Sequence, residues 1–120
     1  MAVTKFQKGL QGQQEAEKFL QANGYTILER NYRTRTGEID IIARHGTYTV
    51  FVEVKLRHGL EHGHPCEAVG AAKQQKIIKT ALHYISVMQL GDCDFRFDVV
   101  EVLVQNGQAY ARHIVDAFGV

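Results

Sequence analysis

The sequence predicts one α/β domain over residues 1–120, with a mixed central sheet of about five strands flanked by helices. Apolar residues recur at helical spacing in two segments and at strand-like spacing in several others. Turn-forming residues, glycine above all, separate many of these segments. The resulting order is one helix, three strands, a second helix and two strands.

Composition and charge narrow the class of protein. With 45% hydrophobic and 22% charged residues, a chain of this length can build a core without disulfide bonds. A net charge of +1 lacks the basic excess typical of nucleic-acid binders, and so counts weakly against that class. The first residues lack the apolar run of a signal peptide, and no window is long enough to span a membrane. We expect a cytoplasmic protein with no membrane partner, whose Cys66 and Cys93 are reduced and inert.

The first helix is predicted from about Lys5 to Ala22. Its apolar residues at near-helical spacing are Phe6, Leu10, Ala16, Phe19 and Leu20. Asn23-Gly24 is a good helix stop, and residues 25–33 follow as an extended segment. Residues 34–37, with the sequence TRTG, are typical of a turn before the next strand.

Two strands are predicted at residues 38–43 and 48–56, joined by a turn at His45-Gly46. Side chains alternate between the two faces of a strand. In the first strand one face carries Ile39, Ile41 and Ala43, and the other Glu38, Asp40 and Ile42. In the second strand one face carries Val50, Val52, Val54 and Leu56, and the other includes Glu53, Lys55 and Arg57. The second strand therefore has a core face and a face that becomes polar towards its end.

A second helix is predicted over residues 66–89, after a loop rich in glycine and histidine. Pro65 suits the start of this helix, where a missing N–H costs nothing. The expected apolar stripe is Ala71, Ile78, Ala81, Leu82, Ile85 and Met88. Residues 95–104 and 108–115 are predicted as the last two strands, around Asn106-Gly107, a dipeptide favoured in tight hairpin turns.

The chemistry is expected where the polar faces of the two strands at 38–43 and 48–56 meet. A hairpin through these strands would gather the carboxylates of Glu38, Asp40 and Glu53 beside the ammonium group of Lys55. Crowded carboxylates repel one another unless a cation lies among them or one is protonated. Hard oxygen ligands favour Mg²⁺ or Mn²⁺ over zinc, and such an ion activates water next to a phosphate. From spacing alone, an exposed salt-bridged strand face remains the alternative.

The same two strands carry a resemblance to a known superfamily. Residues 37–43 (GEIDIIA) and 50–57 (VFVEVKLR) resemble the paired motifs of the PD-(D/E)XK endonuclease-like proteins, which are Holliday-junction-resolvase-like. Within that superfamily they are most similar to the small bacterial YraN-type family. The resemblance runs from Gly12 to about Val104 and continues through residues 24–25, 30–33 and 96–100. It implies a restriction-endonuclease-like fold and hydrolysis of DNA phosphodiesters with Mg²⁺ or Mn²⁺.

The resemblance also assigns residues by position. It implies catalytic roles for Asp40, Glu53 and Lys55, and metal binding by Asp40, Glu53, Glu38 and Gln13. The family usually has Gly-Glu early in its first helix, whereas this chain has Gly12-Gln13. Gln13 offers a metal its carbonyl oxygen but no charge. Glu17 lies one turn further on, on roughly the same helix face, and is a candidate replacement.

Other residues admit more than one interpretation. The candidates for nucleic-acid binding are Arg33, Arg35, Arg57, Tyr32 and Lys73. Cations would hold phosphates and Tyr32 would stack on a base, but solvated charges explain the basic residues equally well. The loop residues His58, His62, His64 and Cys66 fit a zinc site, a substrate-facing loop or ordinary surface. Asp98, within an apolar strand, is expected to pair internally rather than to catalyse.

Three functions therefore remain open. The first is a Mg²⁺- or Mn²⁺-dependent endonuclease acting on DNA. The second is a nucleic-acid-binding module on the same fold with weak or lost catalysis, which Gln13 and the near-neutral charge favour. The third is an assembly protein whose polar sheet face is a partner interface. The sequence leaves open whether the protein forms a homodimer.

Overall fold

The computed structural model describes residues 5–58 and 69–119, with side chains for residues 11–57 and 69–119. Its elements are α1 (Lys5–Ala22), β1 (Thr26–Arg33), β2 (Glu38–His45), β3 (Tyr48–His58), α2 (Ala71–Val87), β4 (Asp94–Gln105) and β5 (Gln108–Phe118). The predicted order of one helix, three strands, one helix and two strands is confirmed. In the described part of the chain, neither helix is long and apolar enough to cross a membrane.

The five strands form one mixed sheet in chain order, β1-β2-β3-β4-β5. Neighbouring strands are antiparallel except for β3 and β4, which run parallel over their whole length. Two parallel neighbours need a long crossover, which here contains α2. β3 is the central strand, but its pairing with β2 ends at Val52, so the polar residues that follow on β3 are paired with β4 alone. This five-stranded sheet with a helix on each face confirms the restriction-endonuclease-like fold.

Successive side chains of β3 point to opposite faces of the sheet and pack in two separate hydrophobic cores. Val50 and Val52 lie in the core beneath α1, together with Ala16 and Leu20 of that helix. Phe51, between them in sequence, lies in the other core. That core contains Ile77, Ile78, Ala81 and Tyr84 of α2, with Phe97 and Val99 of β4. The two helices therefore cover opposite faces of the sheet, and the odd-numbered residues of β3 face the side of α2.

The second helix begins later than predicted, at Ala71 rather than at residue 66. Val69 is buried in the core of α2, and Gly70 is extended at the N-cap position without a side-chain hydrogen bond. The amide side chain of Gln74 donates to the carbonyl of Val69 at 2.8 Å. These contacts fix the chain just ahead of the first helical turn, so the helix starts after Gly70. Pro65 lies outside the described residues.

The apolar stripe of α2 also differs from the predicted one. Ile78 and Ala81 are buried as expected, but Leu82 is 45% exposed and Met88 49% exposed. The buried face instead repeats at Ile77, Ala81 and Tyr84, a spacing of four and three residues. Leu82 lies to one side of this face, Met88 lies beyond the last helical residue, and Ala71 is exposed.

Ile39 does not share a face with Ile41 and Ala43, as strict alternation predicted. It lies with Ile42 in the core of α2, whereas Ile41 and Ala43 lie in the core of α1. The regular pairing of β2 with β3 ends at Ile41. Simple alternation therefore does not extend back to Ile39.

Asp98 is fully buried on β4 and pairs internally, as predicted. Its carboxylate accepts hydrogen bonds from Arg96 Nε at 3.1 Å and from the backbone N–H of Asp116 at 3.0 Å. His113 Nε2 lies 2.7 Å from the same carboxylate. Burial raises the pKa of Asp98, but the hydrogen bonds from these three partners outweigh it and hold the pKa below its usual range. Asp98 is therefore a structural anion.

We expect Asp98→Asn to lower the free energy of unfolding by about 2 kcal/mol at pH 7, the range for hydrogen bonds to a charged group. A depressed pKa stabilises the fold above the unperturbed value of 3.8 and loses that effect as the pH falls through the folded value. The loss should therefore shrink at strongly acidic pH. Urea unfolding across this pH range measures it, with the exposed Asp94→Asn as control. Equal midpoints for wild type and Asp98→Asn would contradict a stabilising role.

Candidate functional site

The carboxylates of Asp40 and Glu53 meet where β2 leaves β3. Backbone pairing of the two strands ends at Ile41 and Val52. Beyond that point, the carboxylate of Asp40 accepts the backbone N–H of Val54 at 2.8 Å. This contact brings Asp40 within hydrogen-bond reach of the Glu53 side chain. Two acids that are 13 positions apart in the sequence (53 minus 40) thus share one place on the sheet.

Glu53 is an acid in a poor environment for negative charge. Its side chain is only 6% exposed. Burial, followed by the charge and hydrogen bond of Asp40, raises the pKa of Glu53 to about 7. At neutral pH the carboxyl group therefore needs a proton or a nearby cation to remain buried.

A lysine of α2 provides one such cation. Lys73 Nζ lies 3.1 Å from Glu53 Oε1, although Lys73 is half exposed. Burial lowers the pKa of Lys73, but the charge and hydrogen bond of Glu53 outweigh it, and the net pKa is raised. Lys73, proposed from the sequence as a nucleic-acid contact, thus lies at the carboxylates themselves. No local pattern predicted this, because α2 and β3 come together only in the folded chain.

Lys55 completes the group, two residues after Glu53 on the same face of β3. Its side chain is half-buried and lies next to the ammonium group of Lys73. Burial, together with the charge of Lys73, lowers the pKa of Lys55, while Glu53 acts in the opposite direction. The structure therefore brings Asp40, Glu53 and Lys55 together and adds Lys73 to them.

Glu38 and the nearby basic candidates lie differently. Arg33 Nε donates to Glu38 Oε2 at 2.7 Å, and both side chains are well exposed. Arg35 is exposed in the turn between β1 and β2. Tyr32 is half-buried, and its ring meets the ring of Tyr84 edge to face at 5.1 Å between centroids. Glu38 is therefore engaged with an arginine on the neighbouring strand.

The first helix carries Gln13 at the position where the family pattern places an acidic side chain near the metal site. Gln13 is half-buried on α1, next to Gly12, where an added Cβ would lie 3.3 Å from Leu56 of β3. Glu17, the candidate replacement for the missing acid, instead accepts a hydrogen bond from Arg30 Nε at 2.7 Å. Sequence spacing could not reveal this competing partner on β1.

Part of the predicted loop site lies outside the described residues. His62, His64 and Cys66 belong there, as does the side chain of His58. Cys93 is half-buried and forms no disulfide bond within the described residues. In residues 11–57 and 69–119, no group of three or more His, Cys, Asp or Glu side chains is placed to hold a metal ion.

Two carboxylates are nevertheless a sufficient protein contribution for Mg²⁺. This ion usually binds one or two carboxylates, keeps several waters and takes further oxygen ligands from substrate phosphates. Asp40 and Glu53 supply hard oxygens, and their mutual repulsion favours a cation between them. The set suits Mg²⁺ or Mn²⁺ better than zinc, whose sites are usually built from sulfur and nitrogen ligands.

Comparison with known proteins places this site within a family. The model of the uncharacterised protein family UPF0102 matches residues 12–102, which include Asp40, Glu53, Lys55 and Lys73. The chain belongs to the UPF0102 family. The membership predicted from the YraN-type resemblance is thereby confirmed.

Similar UPF0102 proteins match most of the chain. One from Syntrophotalea carbinolica is 42% identical over 120 residues, covering 100% of this chain and 98% of its own. One from Chlorobium phaeobacteroides is 45% identical, with 92% of this chain and 91% of its own covered. One from Alkaliphilus metalliredigens is 50% identical over 93 residues, covering 78% and 82%. The similarity thus extends over the whole described sheet.

Proposed function

We propose that this UPF0102 protein is a metal-dependent endonuclease that hydrolyses phosphodiester bonds in DNA. The observation that carries the proposal is the contact between Asp40 and the buried Glu53, with Lys55 beside them. Burying Glu53 next to a second carboxylate is costly for the fold, and a salt bridge between exposed residues would not require it. A site for a divalent cation accounts for the cost.

In this proposal the carboxylates of Asp40 and Glu53 hold the ion. A bound Mg²⁺ or Mn²⁺ supplies an activated water and neutralises charge on the phosphate. The hydrogen bond from the Val54 N–H fixes the orientation of the Asp40 carboxylate before any ligand arrives. Lys73 neutralises Glu53 in the metal-free protein.

Lys55 then acts on the substrate side of the carboxylates. Its ammonium group orients the attacking water or neutralises the pentavalent phosphate. Partial burial and the neighbouring charge of Lys73 both disfavour the charged form of Lys55 in the absence of an anion. An incoming phosphate reverses that balance, so the lysine interacts most strongly with the most negative species on the reaction path.

A second candidate is a nucleic-acid-binding module with weak or lost catalysis. The ion pair of Lys73 with Glu53 favours it, because an internal ammonium group satisfies one carboxylate without any metal. Gln13 also favours the binding module, because it carries no charge where the family usually has an acid that could bind a metal.

Cleavage assays on labelled duplex, single-stranded and branched DNA separate the two candidates. We expect the wild type to cut at least one substrate with Mg²⁺ or Mn²⁺ and none in EDTA. Asp40→Asn, purified identically, excludes a contaminating nuclease. Salt-sensitive binding of DNA without any cleavage would favour the binding module over the endonuclease. Neither binding nor cutting would contradict both candidates.

A further inference from the structure

A buried acid lies beside the proposed site, on the neighbouring strand β4. Glu101 is fully buried and faces Lys55 in the parallel pairing of β3 and β4. Arg57 Nε lies 3.3 Å from Glu101 Oε2, and Arg112 of β5 donates to Glu101 Oε1. One carboxylate thus holds two guanidinium groups, one from each flanking strand.

These arginines continue the line of cations that starts at the carboxylate site. Arg57 follows Lys55 two positions on along β3, about 6.6 Å further, and its charge acts on Lys55. Arg112 lies directly opposite Glu101 on β5. Lys55 and Arg112 are therefore separated laterally by two strand spacings, about 10 Å. Lys55, Arg57 and Arg112 thus form a row of three cations around one carboxylate, that of Glu101.

The geometry points to a phosphate-binding surface made by Arg57 and Arg112 and positioned by Glu101, which holds the nucleic-acid backbone next to the scissile phosphate. This inference rests on the proposed function, and it names a part of the substrate contact that the catalytic residues do not supply. Glu101 is a positioning residue, since its buried carboxylate does not reach the substrate.

Three features favour a phosphate ligand over a purely structural ion network. Two guanidinium groups share one carboxylate, so the cluster keeps one net positive charge. The Arg112 side chain is 48% exposed and that of Arg57 24% exposed, whereas Glu101 is fully buried. A guanidinium group carries five N–H donors in a fixed fork, so a bond to Glu101 leaves donors for a phosphate. Anchoring the forks in advance also lowers the entropic cost of binding.

The dependence of DNA binding on salt tests this inference. Binding of a fluorescent single-stranded oligonucleotide is measured in EDTA between low and moderate salt, for the wild type and for Arg112→Gln. We expect the slope of log K against log salt to fall by about one in Arg112→Gln, as for one lost phosphate contact. Arg112→Lys, which keeps the charge, should retain most of the slope.

The control is Arg44→Gln, an exposed arginine four residues beyond Asp40 on β2, about 13 Å away along the strand. Its slope should equal that of the wild type. An unchanged slope in Arg112→Gln, with a lowered melting temperature in both Arg112 variants, would overturn the inference and mark the cluster as structural. Displacement of the oligonucleotide by polyglutamate as readily as by unlabelled DNA would also overturn it, in favour of an acidic protein partner.

Measuring Mn²⁺ binding and DNA cleavage with the same variants distinguishes failure of the phosphate-binding surface from failure of the proposed endonuclease. Cleavage by the wild type with an unchanged slope in Arg112→Gln contradicts the phosphate surface alone. A lowered slope in a protein that neither binds Mn²⁺ nor cuts DNA contradicts the endonuclease and supports the phosphate surface.

Discussion

Replacing Lys55 with alanine should abolish cleavage of DNA and leave DNA binding nearly intact. In the proposed reaction the ammonium group faces the scissile phosphate, whose negative charge increases in the transition state. Loss of a preorganised electrostatic contact of this kind costs on the order of a hundredfold or more in rate. In the ground state Lys55 is one cation among several, so its removal should change the salt slope of binding by about one.

The measurement is single-turnover cleavage with Mg²⁺ or Mn²⁺, run beside a DNA-binding assay at several salt concentrations. Lys79→Ala is the matched control, because Lys79 is an exposed lysine of α2 whose loss should change neither readout. Thermal unfolding of both variants verifies that the domain remains folded. Equal cutting by the wild type and Lys55→Ala would exclude the catalytic role.

Replacing Glu53 with glutamine should remove Mn²⁺ binding and at the same time stabilise the metal-free domain above pH 7. The pKa of Glu53 is about 7 in the fold against an unperturbed 4.5. The folded state therefore holds a proton that the unfolded chain has lost, and stability falls as the pH rises from 4.5 to about 7. This difference in pKa corresponds to a cost on the order of 3 kcal/mol, which a neutral glutamine avoids.

Unfolding by urea in EDTA at pH 5 and pH 8 tests the stability, and electron paramagnetic resonance of Mn²⁺ tests the binding. We expect Glu53→Gln to be more stable than the wild type at pH 8, with a much smaller gain at pH 5. Asp92→Asn is the control: it removes an exposed acid just ahead of β4 that belongs to no predicted site, and should keep Mn²⁺ binding. A less stable Glu53→Gln at pH 8 would instead mark Glu53 as a structural partner of Lys73.

The part of the site that the sequence could predict is the part made by neighbouring strands. Period-two alternation and a hairpin turn are local patterns, and together they bring Asp40, Glu53 and Lys55 close. The same patterns gave the order of the elements and both turns that flank β2. Alternation failed at Ile39 because β2 leaves its pairing with β3 next to that residue.

The remaining contacts depend on partners that are distant in the sequence. Lys73 reaches Glu53 only because α2 crosses over the sheet, and Glu101 meets Arg57 only through the pairing of β3 with β4. Glu17 shows the same dependence on a distant partner. Spacing along α1 made it a candidate ligand, but Arg30 of β1 holds it. No pattern within one element indicates which of several charged partners a side chain will meet.

The parallel pairing of β3 with β4 has a consequence for how the site is assembled during folding. Tyr48 pairs with Asp94, 46 residues later (94 minus 48), whereas β2 pairs with β3 through a short turn. Closing the longer loop costs more chain entropy and is slower. The hairpin that carries Asp40 and Glu53 should therefore form before the basic residues of α2 and β5 arrive. Pulse-labelled hydrogen exchange would resolve this order as early protection of β2 and β3. Asp40, Glu53 and Lys55 thus come together locally and early, whereas Lys73 and Arg112 join them later through long-range contacts.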